Sequence, residues 1–465
     1  MNFVINKTKL LNYVINIIFC FVSLILFINA PDDYSFLFCF VIFILFLIQN
    51  LCYFYLNNEG VGFESLFMIS FMMCNFIYPV FYYGDNSYVS MFVFGFNESV
   101  ISKATSLSFL AYTFYLLGVV NYADNKSFYS KISFSNLVIS EFVFFTIFFI
   151  SFISFISFIS FISVGGLQQL KDIYNGGGGE WGSTGVYSYI SIFSTLYTIL
   201  LASLVFLIKN KTISKVAIIY ILIVAFLMLS TGSRTIPVSL ILILMVSYSF
   251  FVRKISFIFF LVCVFLGANL MYFLVLFREL GLDNQNNFNS ALNSYKNSSS
   301  FFDVFMDLIS NNRNLYVLVD FVDNYQYVGF FNVLTEIFSV IPGSNFLNKY
   351  FVIPDFMVAG QLPTYLQFGS GSLYGLGTNM VGEAYLSFGL IGVVFIFYSF
   401  GIVVKLIKKR APSNIFFLMV LYVLVGNSLF MPRADYLYSL RMYFWVVVFL
   451  GLIILFEKKI LKKVG

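Results

Sequence analysis

Apolar runs long enough to cross a bilayer alternate with short polar connections along nearly the whole chain. Because roughly 20 apolar residues span the hydrocarbon core, the pattern predicts about twelve membrane-crossing helices. They fall near 13–29, 35–56, 64–84, 104–122, 137–163, 187–208, 216–231, 235–251, 255–277, 381–404, 415–431 and 441–456. Two connections are long: a glycine-rich one at 164–186, and 278–380, where no convincing span occurs. In the second, Phe302, Phe305, Met306, Leu308 and Ile309 recur at helical spacing, and Leu315, Leu318 and Val319 continue it beyond Asn311-Asn312-Arg313-Asn314. This predicts amphipathic helices lying on the outer ends of the bundle. The expected fold is therefore all-α: one integral-membrane domain over residues 1–465, carrying one large, partly helical external loop.

Composition agrees, with 60% hydrophobic and 10% charged residues and a mean hydropathy of +0.92. Charge then orients the bundle. Lys7 and Lys9, Lys126 and Lys131, Lys209, Lys211 and Lys215, Arg253 and Lys254, Lys405 to Arg410, and Lys458 to Lys463 occupy every second connection. By the positive-inside rule these face the cytoplasm, which puts both termini there and makes the span count even. The net charge of +5 needs no nucleic-acid partner, because the inner connections explain it. The first apolar segment lacks a small-residue cleavage site and reads as a retained span.

Arginine is distributed differently. Fifteen of 19 lysines mark the cytoplasmic side, whereas Arg234, Arg278, Arg313, Arg433 and Arg441, five of the seven arginines, lie in external connections. A guanidinium offers a planar fork of donors that stays charged, so arginines gathered on one face suit a phosphate or pyrophosphate. Arg234 stands in Ser230-Thr231-Gly232-Ser233-Arg234-Thr235, a tight turn whose short neighbours can also donate to an anion; snorkelling at a helix end is the alternative.

The absence of histidine excludes a Ser/His/Asp triad, a histidine base and a histidine-ligated metal. Proton transfer then falls to carboxylates, tyrosines or lysines. Glu383 enters the membrane near the start of a span, where an acid needs a partner or a wet cavity; a salt bridge to an external arginine would supply the first. Asp320 and Asp323, like Asp303 and Asp307, share a helical face, and Asp435 is a further candidate. Such pairs could hold a cation, but a solvated helix face explains them equally, so no metal or other cofactor is expected. Trp181, Tyr374 and Tyr385 are candidates for stacking on sugars, with membrane-interface anchoring the alternative for Trp181. The five cysteines fall within predicted spans without paired spacing and read as inert. The repeat Phe152-Ile153-Ser154 through Ser163 turns its serines about 60° per step on a helix, a spiral and not a polar face.

Thr231-Gly232-Ser233-Arg234-Thr235 between two spans, Arg313 followed by Tyr327-Val328-Gly329 and Ile341-Pro342-Gly343, and Gly382-Glu383-Ala384-Tyr385 with Phe388-Gly389 resemble the Wzy-type O-antigen polymerases. The resemblance implies a GT-C-like bundle in a bacterial inner membrane that joins undecaprenyl-pyrophosphate-linked oligosaccharide units on the periplasmic side, with a chain-length regulator protein as a further partner. Such a reaction needs alignment, stabilisation of the departing pyrophosphate and a base for the attacking hydroxyl. The external arginines suit the second task, Arg234 and Arg313 first, and Glu383, Asp320 or Asp323 the third. A lipid-linked oligosaccharide flippase is the rival reading. Transporters usually divide into similar halves with charges at mid-membrane, and neither feature is visible here.

Overall fold

A computed structural model describes residues 7–57, 61–84, 95–120, 140–161, 198–208, 210–230, 235–256, 258–267, 269, 305–340, 358–370, 375–437 and 440–464. Among them every regular element is helical, as backbone groups placed in hydrocarbon require. In chain order the principal helices are α1 (Lys7–Ile28), α2 (Phe36–Asn57), α3 (Phe63–Asn75), α4 (Ile101–Val120), α5 (Glu141–Phe161), α6 (Lys211–Ser230) and α7 (Thr235–Phe251). They continue with α8 (Asn312–Asn324), α9 (Phe330–Val340), α10 (Leu362–Phe368), α11 (Met380–Arg410), α12 (Ile415–Asn427) and α13 (Leu440–Val464). Among the described residues five helical stretches are long and apolar enough to cross a membrane: Leu10–Ile28, Phe36–Asn57, Glu98–Val120, Lys211–Leu229 and Met380–Arg410. Shorter apolar helices include Phe63–Asn75, Thr235–Phe251, Ile258–Gly267 and Ile415–Asn427. The chain is a multi-pass membrane protein, and the described helices α1, α2, α4, α6, α7, α11 and α12 fall on apolar runs read from the sequence.

Helix α11 is the hub. It packs on α4, against which α1 and α2 pack in turn, and its other neighbours include α8, α9 and α12. The α4 crossing is a glycine contact: a Cβ on Gly118 would stand 2.3 Å from the Tyr398 carbonyl oxygen, and one on Gly401 2.2 Å from that of Tyr115. Small residues at a crossing let backbones approach closely in a membrane, where hydrophobicity does not drive helices together. Of Gly382, Gly389 and Gly392 in α11, only Gly382 packs closely against another helix, where a Cβ would sit 2.7 Å from Leu318 Cδ1. Gly392 faces its own preceding turn at Phe388 and Ala384.

Gly389 breaks the helix instead. Its φ of 63° with ψ of −152°, next to Phe388 at φ −145°, divides α11 into two segments. No side chain tolerates that conformation easily. The break frees the Leu386 carbonyl, which accepts the Val328 N–H at 2.7 Å and so ties the chain entering α9 into the kink.

The two ends of the bundle differ. At one end Lys408 Nζ meets Glu64 Oε1 at 2.5 Å, both side chains buried. At the other end α8, α9 and α10 cap the mouths of α3, α4 and α11 through the contacts described below. In α5 the serine repeat spirals as expected: Ser151 is buried against Thr198 and Tyr220, while Ser160 is exposed and bonded to its own helix at Ile156. Cys20, Cys39 and Cys74 are buried and all five cysteines are free thiols.

Candidate functional site

Asparagines join the cap to the bundle. Asn379 precedes α11 with extended backbone, and its Oδ1 accepts the N–H groups of Val381 (2.9 Å) and Gly382 (3.4 Å), a helix N-cap. Its Nδ2 donates to Asn311 Oδ1 at 2.8 Å and to Asn75 Oδ1, at the end of α3, at 3.1 Å. Asn311 Nδ2 returns a bond to the Thr378 carbonyl at 2.7 Å, and Asn314 Nδ2 binds the Leu376 carbonyl at 2.6 Å. Asn312 Nδ2 reaches Ile309 O at 2.9 Å and Met73 O at 3.3 Å. All five asparagines are buried. Each amide carries donors and an acceptor, so a chain of them satisfies one another without introducing charge.

Glu383 lies one turn into α11 and is fully buried. Its two carboxylate oxygens face two donors: Asn332 Nδ2 of α9 reaches Oε1 at 2.6 Å, and the Tyr436 backbone N–H reaches Oε2 at 2.6 Å. Asn332 is spoken for on both sides, since its Oδ1 accepts the Ala359 N–H at 2.9 Å. Ser387, one turn on, shares a hydrogen bond with the Tyr436 hydroxyl at 3.2 Å. One carboxylate thus fixes three segments: α9, residues 358–359 and the loop after α12. Charge-assisted bonds to a buried oxygen are the strong kind.

Arg313 follows Asn312 at the start of α8 and is 2% exposed. Its NH2 donates to Gln367 Oε1 of α10 at 3.1 Å, and burial lowers its pKa from the ordinary arginine value. Asn311 and Asn314, bonded to the Thr378 and Leu376 carbonyls, fix the backbone of the turn that carries it.

Asp320 and Asp323 take different partners although they share a face of α8. Asp320 Oδ1 accepts from Asn97 at 2.7 Å and from Asn324 at 3.0 Å. Asp323 Oδ2 meets Lys103 Nζ of α4 at 2.7 Å, and its Oδ1 accepts the Tyr385 hydroxyl of α11 at 2.9 Å. Asp323 lies at the protein surface while Tyr385 is buried.

The structure therefore brings Arg313, Asp320, Asp323, Glu383 and Tyr385 to one end of the bundle. Arg433 lies in the short turn Met431–Arg433, its guanidinium over the Phe430 ring at 5.4 Å from the centroid, three residues before Tyr436. Arg234, Arg278, Trp181, Tyr374 and Asp303 lie outside the described residues; Arg441 is in the first turn of α13, its side chain also outside them.

Sequence reasoning missed Asn332, Asn379, Asn75, Gln367 and Lys103. For Lys103 a signal existed: it is one of four lysines off the cytoplasmic pattern, immediately before the span read at 104–122 and thus placed to meet an external acid. The asparagines carried no comparable mark, because a lone Asn beside an apolar run reads as a turn residue.

A family model described as O-antigen polysaccharide polymerase Wzy matches residues 12–464. No curated protein and no solved structure matches the chain.

Proposed function

The chain belongs to the family of O-antigen polysaccharide polymerases, and from that premise we propose that it is a glycosyltransferase joining undecaprenyl-pyrophosphate-linked oligosaccharide units into a surface polysaccharide at the periplasmic face of a bacterial inner membrane. The observation that carries this reading is the fixing of a buried cation, Arg313, and a buried carboxylate, Glu383, at the same end of the bundle by the Asn311–Asn379 link. Such groups cost free energy to bury and are retained where charge must be presented in a set place.

In the proposed reaction the hydroxyl oxygen of one lipid-linked unit attacks the anomeric carbon of another. The new C–O bond forms as the bond to pyrophosphate breaks, lipid pyrophosphate departs with the electron pair, and the hydroxyl proton passes to a carboxylate. Arg313, with Arg234, Arg278, Arg433 and Arg441, stabilises the departing pyrophosphate, each charge-assisted bond contributing about 1.5–3 kcal/mol. Among the carboxylates Asp323 best suits the base: it lies at the surface, and Lys103 and the buried Tyr385 orient it. Glu383, enclosed on both oxygens, orders the site, and Asp320 secures the cap to Asn97. The reading carries a twelve-span threading with both termini cytoplasmic. The meeting of Glu64 with Lys408 at one end, and of Lys103 with Asp323 at the other, supports that alternation.

The test is deletion of the gene in its own host, followed by complementation with the wild-type chain, Arg313→Ala or Asp323→Asn and inspection of the surface polysaccharide on a gel. Collapse of the ladder to lipid core carrying a single repeat, restored by the wild type alone, is expected. Loss of every repeat, the single one included, would move the assignment to export or ligation.

A further inference from the structure

Helix α9 presents two unlike faces. Asn332 is buried on Glu383 and Ser387. Phe330, Phe331, Leu334, Ile337 and Phe338 recur at helical spacing on the other side and are all exposed, Phe330 at 71%. Exposed large apolar residues gathered in one stripe are unusual against water and mark a surface that something apolar covers.

The neighbouring surface says what covers it. Phe330 packs edge-on against Phe388 of α11, with ring centroids 4.9 Å apart. One turn beyond Phe388 the same span exposes Ile391 at 80% and Phe395 at 70%, the outward face that a membrane-crossing helix turns to lipid. The stripe on α9 thus continues a lipid-facing surface past the kink at Gly389. A short helix with an apolar face and a polar face is the form that lies in the plane of a membrane.

We propose that α9 is an in-plane helix whose Phe330–Phe338 stripe is seated in the acyl chains of the bilayer leaflet at the capped end, and that this seating holds Asn332 against Glu383. Asn332 is then a positioning residue: its amide bridges the Glu383 carboxylate and the Ala359 N–H, so lifting α9 from the leaflet withdraws a donor from the buried acid. The clause concerning Glu383 rests on the polymerase reading; the seating in lipid does not.

The experiment uses the full chain in vesicles of phosphatidylcholine and phosphatidylglycerol, with and without brominated acyl chains. The two tryptophans, Trp181 and Trp445, are replaced by phenylalanine, and a single tryptophan is introduced as Leu334→Trp or, on the flank of the helix, Thr335→Trp. Brominated lipid is expected to remove most of the Leu334→Trp emission and little of the Thr335→Trp emission. Emission at Leu334→Trp that acrylamide quenches and brominated lipid does not would place the stripe in water. Emission that neither quenches would place it against protein. Equal lipid quenching at both positions would remove the facial distinction. Each of these overturns the proposal, and none depends on activity.

A second arm reads the coupling. Leu334→Glu with Ile337→Glu is expected to abolish the polysaccharide ladder at an unchanged level of protein in the membrane, with Leu334→Phe retaining it. An intact ladder in the double glutamate variant would sever α9 seating from the site while leaving the quenching result and the polymerase reading standing.

Discussion

Asn332 donates its side-chain amide to the carboxylate of Glu383 at 2.6 Å across 51 residues of sequence, with both residues fully buried. The Tyr436 N–H occupies the other oxygen at 2.6 Å. The geometry requires an acceptor on both oxygens of residue 383 and a donor on residue 332, and this makes the pair open to an exchange of roles.

Glu383→Gln places an amide donor against one of two fixed donors and is expected to cost about 1–3 kcal/mol, as buried mismatches do. Asn332→Asp sets two carboxylates together and costs at least as much. Combining the two restores the pairing, because the new amide donates to the new carboxylate while Tyr436 and Ala359 keep acceptors. Thermal unfolding in detergent should show the double variant closer to wild type than either single one. Additive losses would mean that the contact is not the one described.

The α4–α11 crossing leaves no space for a methyl group at either glycine. Gly401→Ala would put a Cβ 2.2 Å from the Tyr115 carbonyl, so the backbones must separate. Overpacking of this kind costs about 1–3 kcal/mol. A lowered melting temperature is expected for Gly401→Ala and for Gly118→Ala, whereas Gly360→Ala, where a Cβ meets nothing within 4 Å, should melt near wild type.

Lys408 and Glu64 form a pair that is safe only while complete. Lys408→Met leaves a buried carboxylate opposite an apolar chain, at a cost of about 3–5 kcal/mol, and Glu64→Leu strands the ammonium in the same way. Replacing both together should recover most of the loss, measured by the fraction of protein that survives detergent extraction and by its melting temperature. If both single variants melt as wild type, the pair is not buried as described.

Asp323, at the surface, joins Lys103 to the buried Tyr385, and the three substitutions should separate in their effects. Lys103→Met removes an ion pair that is one-third exposed, at a cost of at most about 1 kcal/mol of stability. Under the proposed mechanism Asp323→Asn stops polymerisation by removing the base, while Tyr385→Phe, which deletes one hydrogen bond, shortens the ladder without abolishing it. Gel profiles at matched expression distinguish these outcomes; wild-type ladders from Asp323→Asn would pass the base to another carboxylate.

Gly389 adopts a backbone that L residues avoid, and Gly389→Ala is expected to cost about 1–3 kcal/mol through strain at that position. Any straightening of α11 would also withdraw the Leu386 carbonyl from the Val328 N–H. Faster hydrogen exchange at Val328 in the variant would report it, and unchanged exchange would show that the kink does not depend on glycine.

The helical class and the positions of the long apolar helices among the described residues were legible in the chain itself. Their cause is local: transfer of each residue into hydrocarbon is a property of that residue and its near neighbours. Summed over a window, it marks α1, α2, α6 and α11 within a few residues of where they lie. Arg313, Glu383, Asp320 and Asp323 could be named for the same reason, since charge is conspicuous in an apolar chain. Which carboxylate meets a lysine, which is closed in by an amide and a backbone N–H, and which glycines touch were decided only by the tertiary structure. Lys103 finds Asp323 across 220 residues and Asn379 finds Asn75 across 304. A hydrogen bond depends on position and direction to a fraction of an ångström, and those are set by the packing of the helices together, after the apolar pattern has done no more than bring them side by side.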